Sequence, residues 1–82
     1  MSDLSEKYYN IAMSKFKLED YKGAIEDFDE AIRLNPKHAD SYLARAITKN
    51  KIDDHAGAIE DFNAAGELGI TEAYEFAEQL KK

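Results

Sequence analysis

The sequence predicts an all-α domain made of two helical hairpins and one further helix. Three observations predict it: an internal period of 34 residues, apolar residues recurring at helical spacing within each unit, and no segment that alternates apolar and polar residues with period two. The hexapeptide Gly23-Ala24-Ile25-Glu26-Asp27-Phe28 returns unchanged as Gly57-Ala58-Ile59-Glu60-Asp61-Phe62. In the same register Tyr8 matches Tyr42, Ala12 matches Ala46, Lys15 matches Lys49, Lys17 matches Lys51 and Asp20 matches Asp54. Downstream, Ala31 matches Ala65 and Leu34 matches Leu68. A block match in register with so many further identities marks a duplicated unit.

Each unit reads as two helices. In the first, Tyr8, Ile11, Ala12, Lys15 and Phe16 follow the spacing of one helical face. Asp3 with Glu6 three residues on offers a capping box for its start. The polar stretch Lys17-Leu18-Glu19-Asp20 separates it from a second apolar series, Tyr21, Ala24, Ile25, Phe28, Ala31 and Ile32, and Asp20 is placed to cap that helix. Asn35-Pro36 ends it, because the residue before proline is pushed out of the helical region. The second unit repeats the plan with a helix near Asp40 to Lys51 and another, capped by Asp54, running to about Leu68. Gly66 and Gly69 mark its end. Thr71 can then cap a last helix from Glu72 through Lys81. In the 34-residue register Ala73 falls where Ala39 did and Phe76 where Tyr42 did, so this helix takes the first position of a third unit and no second helix follows it. Its charged positions Glu72, Glu75, Glu78, Lys81 and Lys82 suit a solvated end of a stack.

Size and composition bound the function. A chain of 82 residues builds one core, and a lean one. Cysteine is absent, which removes disulfides, thiolate metal sites and a cysteine nucleophile, and fits a reducing, cytoplasmic setting. The start Met1-Ser2-Asp3-Leu4-Ser5-Glu6 has neither the basic residues nor the apolar run of a secretory signal, and no apolar stretch approaches a membrane span. A net charge of −6 argues against nucleic acid and against an anionic membrane surface, both of which draw on clustered Lys and Arg.

A 34-residue helix-turn-helix unit with an early aromatic, small residues at fixed packing points and a proline near its end resembles the tetratricopeptide repeat. Repeat 1 then covers residues 5–38, repeat 2 residues 39–72, and a capping helix residues 72–82, all within one domain, 1–82. The early aromatic is Tyr8 and Tyr42, and the first small residue is Ala12 and Ala46. The later small-aromatic-small set is Ala24, Phe28 and Ala31, then Ala58, Phe62 and Ala65. Pro36 sits at the family's proline, where repeat 2 has Ile70. Gly66 stands where the family has a helix-favouring residue, and His55 replaces the aromatic Tyr21 of repeat 1. The resemblance implies a right-handed superhelical α–α solenoid whose first helices line a concave face.

On that arrangement the concave positions are Tyr9, Met13, Phe16 and Lys17 in repeat 1 and Leu43, Ala44, Ile47, Asn50 and Lys51 in repeat 2. Five of them are sizeable apolar side chains, more than a solvent face needs, so the resemblance implies a protein-interaction module whose apolar groove takes a peptide or helix of a partner protein. Two placements of the last helix are open: it crosses the groove and makes Leu43 and Ile47 core, or it leaves them free. Some family members grip a C-terminal carboxylate with a clamp of Lys, Asn, Asn, Lys and Arg. The matching positions here are Tyr9, Met13, Ala44, Tyr74 and Glu78, none of which carries the clamp's residue, so tight binding of such tails is not expected. A homodimer is the alternative, because the first helix, with Tyr8, Tyr9, Ile11, Met13 and Phe16, is apolar around much of its circumference.

Catalysis finds no support. Glu26, Asp27, Asp29, Glu30, Glu60 and Asp61 lie on second helices at the spacing of a solvated outward face. No calcium loop, phosphate loop or serine nucleophile motif is present, and His38 and His55 are isolated near turns, so no cofactor or metal is expected. Two repeats fall short of the three or more that usually make a stable stack. The isolated monomer is therefore expected to melt within the ordinary mesophile range, about 45–65 °C; a cooperative calorimetric transition above about 80 °C would contradict this.

Overall fold

The computed structural model describes residues 3–82. Five α-helices follow one another: α1 Leu4–Lys17, α2 Tyr21–Leu34, α3 Ala39–Lys51, α4 His55–Glu67 and α5 Ala73–Leu80. No strand occurs among the described residues. The two hairpin turns are copies of each other. The Asp20 and Asp54 N–H groups donate to the carbonyls of Lys15 and Lys49, each at 2.9 Å, and Glu19 and Asp53 take the left-handed conformation at φ 62° and 64°. These are helix-ending turns of the kind that favour glycine at the left-handed position. Asp20 and Asp54 then cap α2 and α4, accepting from the Gly23 and Gly57 N–H groups at 3.1 and 3.0 Å. A Cβ on either glycine would collide with the capping carboxylate, so glycine at this position is what lets the cap fold back.

Several local expectations change. Asp3 caps α1 through Ser5, accepting from its N–H at 3.0 Å, but Glu6 does not close the box. Its carboxylate reaches across to His38 instead, 2.8 Å from Nε2. Thr71 caps nothing: the residue before α5 is Glu72, already in helical conformation, and no side chain caps the end. A capping residue needs an extended backbone, which a chain entering through consecutive turns at 71–72 does not supply. Gly66 lies inside α4, fully packed, and only Gly69 (φ 117°) carries the chain out of it. A Cβ on Gly66 would stand 2.7 Å from the Tyr74 ring, so this glycine is a contact surface for α5, not a stop signal.

The helices pack in sequence, α1 on α2, α3 on both α2 and α4, and α5 on α4, which extends the molecule to 41 × 26 × 16 Å as a short α–α solenoid. The contacts run through alanine. Ala12, Ala24, Ala31, Ala46, Ala58, Ala65 and Ala73 are all fully buried. One cluster gathers Ala12, Ala24 and Ala44 around Phe28, and the other gathers Ala46, Ala58, Ala65, Ala73 and Ala77 around Phe62. Tyr9 packs its ring 5.9 Å from Phe28, and Phe76 of α5 stands 5.5 Å from Phe62.

The acidic residues of the second helices are not uniformly solvated, contrary to their spacing. Asp61 is buried, and its carboxylate takes a two-point fork from Arg45 at 2.7 and 2.8 Å and the Lys49 ammonium at 3.0 Å. Arg45 also donates to Asp29 on α2 at 2.7 Å and lies over the Tyr42 ring, so one guanidinium ties α2, α3 and α4 together. Asp61 first, then Asp29, raises the Arg45 pKa above its already high ordinary value, which keeps it charged at any working pH. Repeat 1 has only half of this arrangement. Lys15 lies 2.8 Å from Asp27 Oδ2, off the hydrogen-bonding direction, and Ile11 stands in the register of Arg45. Removing one member of a desolvated pair leaves the other uncompensated. Arg45→Ala is expected to cost about 2–4 kcal/mol in urea unfolding, whereas Lys15→Ala, at a more exposed pair, is expected to cost far less.

Candidate protein-binding groove

The first helices of successive units carry the candidate site. Met13 and Phe16 from the later turns of α1 face Ala44 and Ile47 of α3 across a hollow of about 70 Å³ lined by these four residues. Ile47 also borders a second hollow of about 200 Å³, shared with Asn50, Phe62, and Phe76, Gln79 and Leu80 of α5. Through Ile47 the two hollows form one apolar strip from α1 across α3 to α5. Lys17 and Lys51 sit in the last turns of α1 and α3, both exposed, and neither makes an ion pair with a described residue.

The expected site residues therefore separate into three kinds. Met13, Phe16, Ile47 and Asn50 line the hollows, and Ile47, 39 % exposed, is the most open apolar residue of this set. Tyr9 and Leu43 line neither. Tyr9 is half-buried between the Phe28 ring and the His38 ring, 5.3 Å away, and burial raises its phenol pKa with help from the Asp40 and Glu6 carboxylates. Leu43 is partly buried against the second cluster, to which α3, α4 and α5 all contribute, while Ile47 stays accessible. Lys17 and Lys51 stand at the rim. The charged positions of α5 are exposed as expected, but Tyr74 and Phe76 are about two-fifths exposed beside them.

Sequence reasoning missed the α5 wall of the second hollow, although Phe76 lay in the register of Tyr42. It also missed His38, which is not isolated. Its Nε2 meets Glu6 and its Nδ1 lies 2.7 Å from the Ser41 hydroxyl, fastening the start of α3 to α1 beside Tyr9. His55 is exposed, and the one carboxylate it approaches among the described residues is Asp53, at 3.8 Å. In repeat 1 the matching Tyr21 packs edge-on to Phe16 at 5.5 Å, and Asn50 stands in the register of Phe16, so both halves of that contact are gone from repeat 2.

Two hairpins of one design, stacked so that first helices share a face, leave the family to be decided by the repeat itself, and residues 5–38 match the family model described as tetratricopeptide repeat. The first hairpin is a tetratricopeptide repeat. All five helices fit tetratricopeptide repeats. No curated protein matches the chain. Repeats of this family are non-catalytic scaffolds that generally serve protein–protein interaction. Among the described residues no group of His, Asp and Glu is arranged to hold a metal, and no helix is long and apolar enough to cross a membrane. Burial separates the site residues by experiment as well. Tyr9→Asp and Met13→Asp introduce a charge against the Phe28 cluster and are expected to lower unfolding free energy by about 2–4 kcal/mol, whereas Ile47→Asp, at an open position, costs about 1 kcal/mol or less; urea titrations of the three variants make the comparison.

Proposed function

We propose that the strip from Met13 and Phe16 through Ala44 and Ile47 to Phe76 and Leu80 binds a polypeptide segment of a partner protein. The observation that carries this reading is the pair of apolar hollows joined at Ile47, on which Ile47 is 39 % and Phe76 43 % exposed. Adjacent packed helices lie about 8–10 Å apart, so two anchors on the ligand are needed at about that separation. Residues seven apart on a helix, at roughly 10.5 Å, meet it. Lys17 and Lys51 along one edge favour a ligand with acidic residues on the corresponding side. The C-terminal-carboxylate clamp is absent at Tyr9, Met13, Ala44, Tyr74 and Glu78, so free carboxylate tails are not the ligand. The proposed setting is cytoplasmic, in keeping with a chain that has no cysteine to oxidise.

A second reading, self-association, is favoured by a different set of residues: Leu4 and Ile11 of α1, and Leu18 just beyond its end, are exposed. The groove reading is tested with a displayed library of amphipathic peptides. Wild type should enrich sequences with apolar residues seven apart and acidic flanks, Ile47→Asp should lose them by about 10-fold or more, the scale of one buried anchor at about 1.4 kcal/mol, and Lys17→Glu with Lys51→Glu should remove the acidic preference. Equal enrichment by wild type and Ile47→Asp would reject the groove.

A further inference from the structure

We propose that the groove reads its ligand at two unlike subsites: a small aliphatic side chain enters the hollow between α1 and α3, and a tyrosine enters the hollow between α3 and α5. The inference rests on the groove reading and names the side chains that the groove takes. Its basis is that the two hollows differ in size and in chemistry. The first, about 70 Å³, is lined by Met13, Phe16, Ala44 and Ile47 and presents no polar side chain. The second, about 200 Å³, has apolar walls at Ile47, Phe62, Phe76 and Leu80 and two carboxamides, Asn50 and Gln79.

Register accounts for the difference. Phe16 and Asn50 occupy the same position of their repeats, and each lines the hollow beside its own helix. The Phe16 ring, packed edge-on to Tyr21, goes with the smaller hollow, and the shorter Asn50 goes with the larger one. Gln79 stands in the register of Arg45, whose guanidinium is held by Asp61 and Asp29. Gln79 has no such partners: neither its carboxamide nor that of Asn50 bonds to another described residue. Two unengaged carboxamides beside an apolar hollow are free to bond what enters it.

Volume and polarity select the occupants. An apolar cavity of about 150 Å³ holds a benzene ring, so the first hollow is too small for an aromatic side chain and suits valine or leucine. The second has room for a ring with a substituent. A ring there joins Phe62 and Phe76, whose centroids are 5.5 Å apart, in the edge and offset contacts that aromatic groups favour. The substituent that fits is one that both donates and accepts, because each carboxamide offers an amide N–H and a carbonyl oxygen. A phenol hydroxyl does both, and phenylalanine does neither. Charge sets the flanks. Lys17 directly follows Phe16 and Lys51 directly follows Asn50, and neither lysine is ion-paired with a described residue, so an acidic ligand residue belongs beside each anchor.

The test is a displayed library of helical peptides with two anchors seven residues apart, each varied over alanine, valine, leucine, phenylalanine and tyrosine and flanked by glutamates. Wild type should enrich valine or leucine at one anchor and tyrosine at the other. The best-enriched peptide, made synthetically, should bind wild type about 5-fold more tightly than the same peptide with phenylalanine for tyrosine, the scale of one hydrogen bond. Asn50→Leu with Gln79→Met, both at exposed positions, should bring that ratio to about one; a thermal melt matching wild type shows the fold intact. The comparison of the two peptides on unaltered protein decides the point whether or not the variant folds. Absence of enrichment, or equal enrichment by Ile47→Asp, rejects the groove and this assignment with it. Enrichment that Ile47→Asp loses, with the same residues accepted at both anchors, with tyrosine and phenylalanine bound equally, or with a tyrosine preference that survives in the folded double variant, keeps the groove and overturns the two subsites.

Discussion

The close approach of helices at alanine is the constraint from which the remaining features follow. Alanine at the meeting points of both hairpins allows backbones to come together with no side chain between them, and the same positions recur in both repeats. Such contacts bury little apolar area per residue, so the core depends on Phe28 and Phe62 to fill the space at each center. Phe28 clusters with Ala44 across the junction between the hairpins, and polar contacts share the task of fixing how the second hairpin sits on the first. Arg45 joins α2, α3 and α4, and His38 joins α3 to α1. Large apolar residues that the alanine contacts exclude from the interior, Met13, Phe16 and Ile47 among them, are left along the face of the first helices, which is where the groove arises.

Much of this was legible because it is periodic or local. The 34-residue offset, the aspartate caps at 20 and 54 and the stop at Asn35-Pro36 each depend on residues within a few positions of one another or on a repeated string. What was not legible depends on residues far apart in sequence. Glu6 has the spacing of a capping-box partner, but His38, thirty-two residues on, offers it a better one. Asp27 and Asp61 have the spacing of an outward face, and only the register of α1 against α2 and of α3 against α4 turns them toward Lys15 and Arg45. Gly66 looks like a helix stop until the Tyr74 ring is seen lying on it. Thr71 is a plausible cap by residue type, and the backbone at 71–72 refuses it.

The groove was legible as a face but not as a surface. The resemblance to the repeat family put Tyr9, Met13, Phe16, Leu43 and Ile47 on one face of α1 and α3, yet a face does not say how much of each side chain its neighbours cover. Tyr9 is occupied by Phe28 and His38, and Leu43 by the second cluster. The far wall, Phe76 and Leu80, comes from a helix that was read at its charged positions and not at its apolar ones.

Comparison of the two repeats separates what holds a hairpin from what each hairpin offers its surroundings. Positions that face inward within a hairpin are the same in both: the alanines, the phenylalanine and the Lys–Asp pair. Other positions differ, and they differ in matched sets. Within the hairpin, Phe16 with Tyr21 becomes Asn50 with His55, so an aromatic edge contact disappears as a unit. Ile32 becomes Gly66 where the next helix brings Tyr74 in place of Asp40, so a side chain is lost where a ring arrives. Ile11 becomes Arg45 where an acidic neighbour, Asp29, is available to receive it. Divergence after duplication has thus kept the alanine and phenylalanine core and changed the contacts around it in pairs, so that each altered side chain is matched by a change in what it touches.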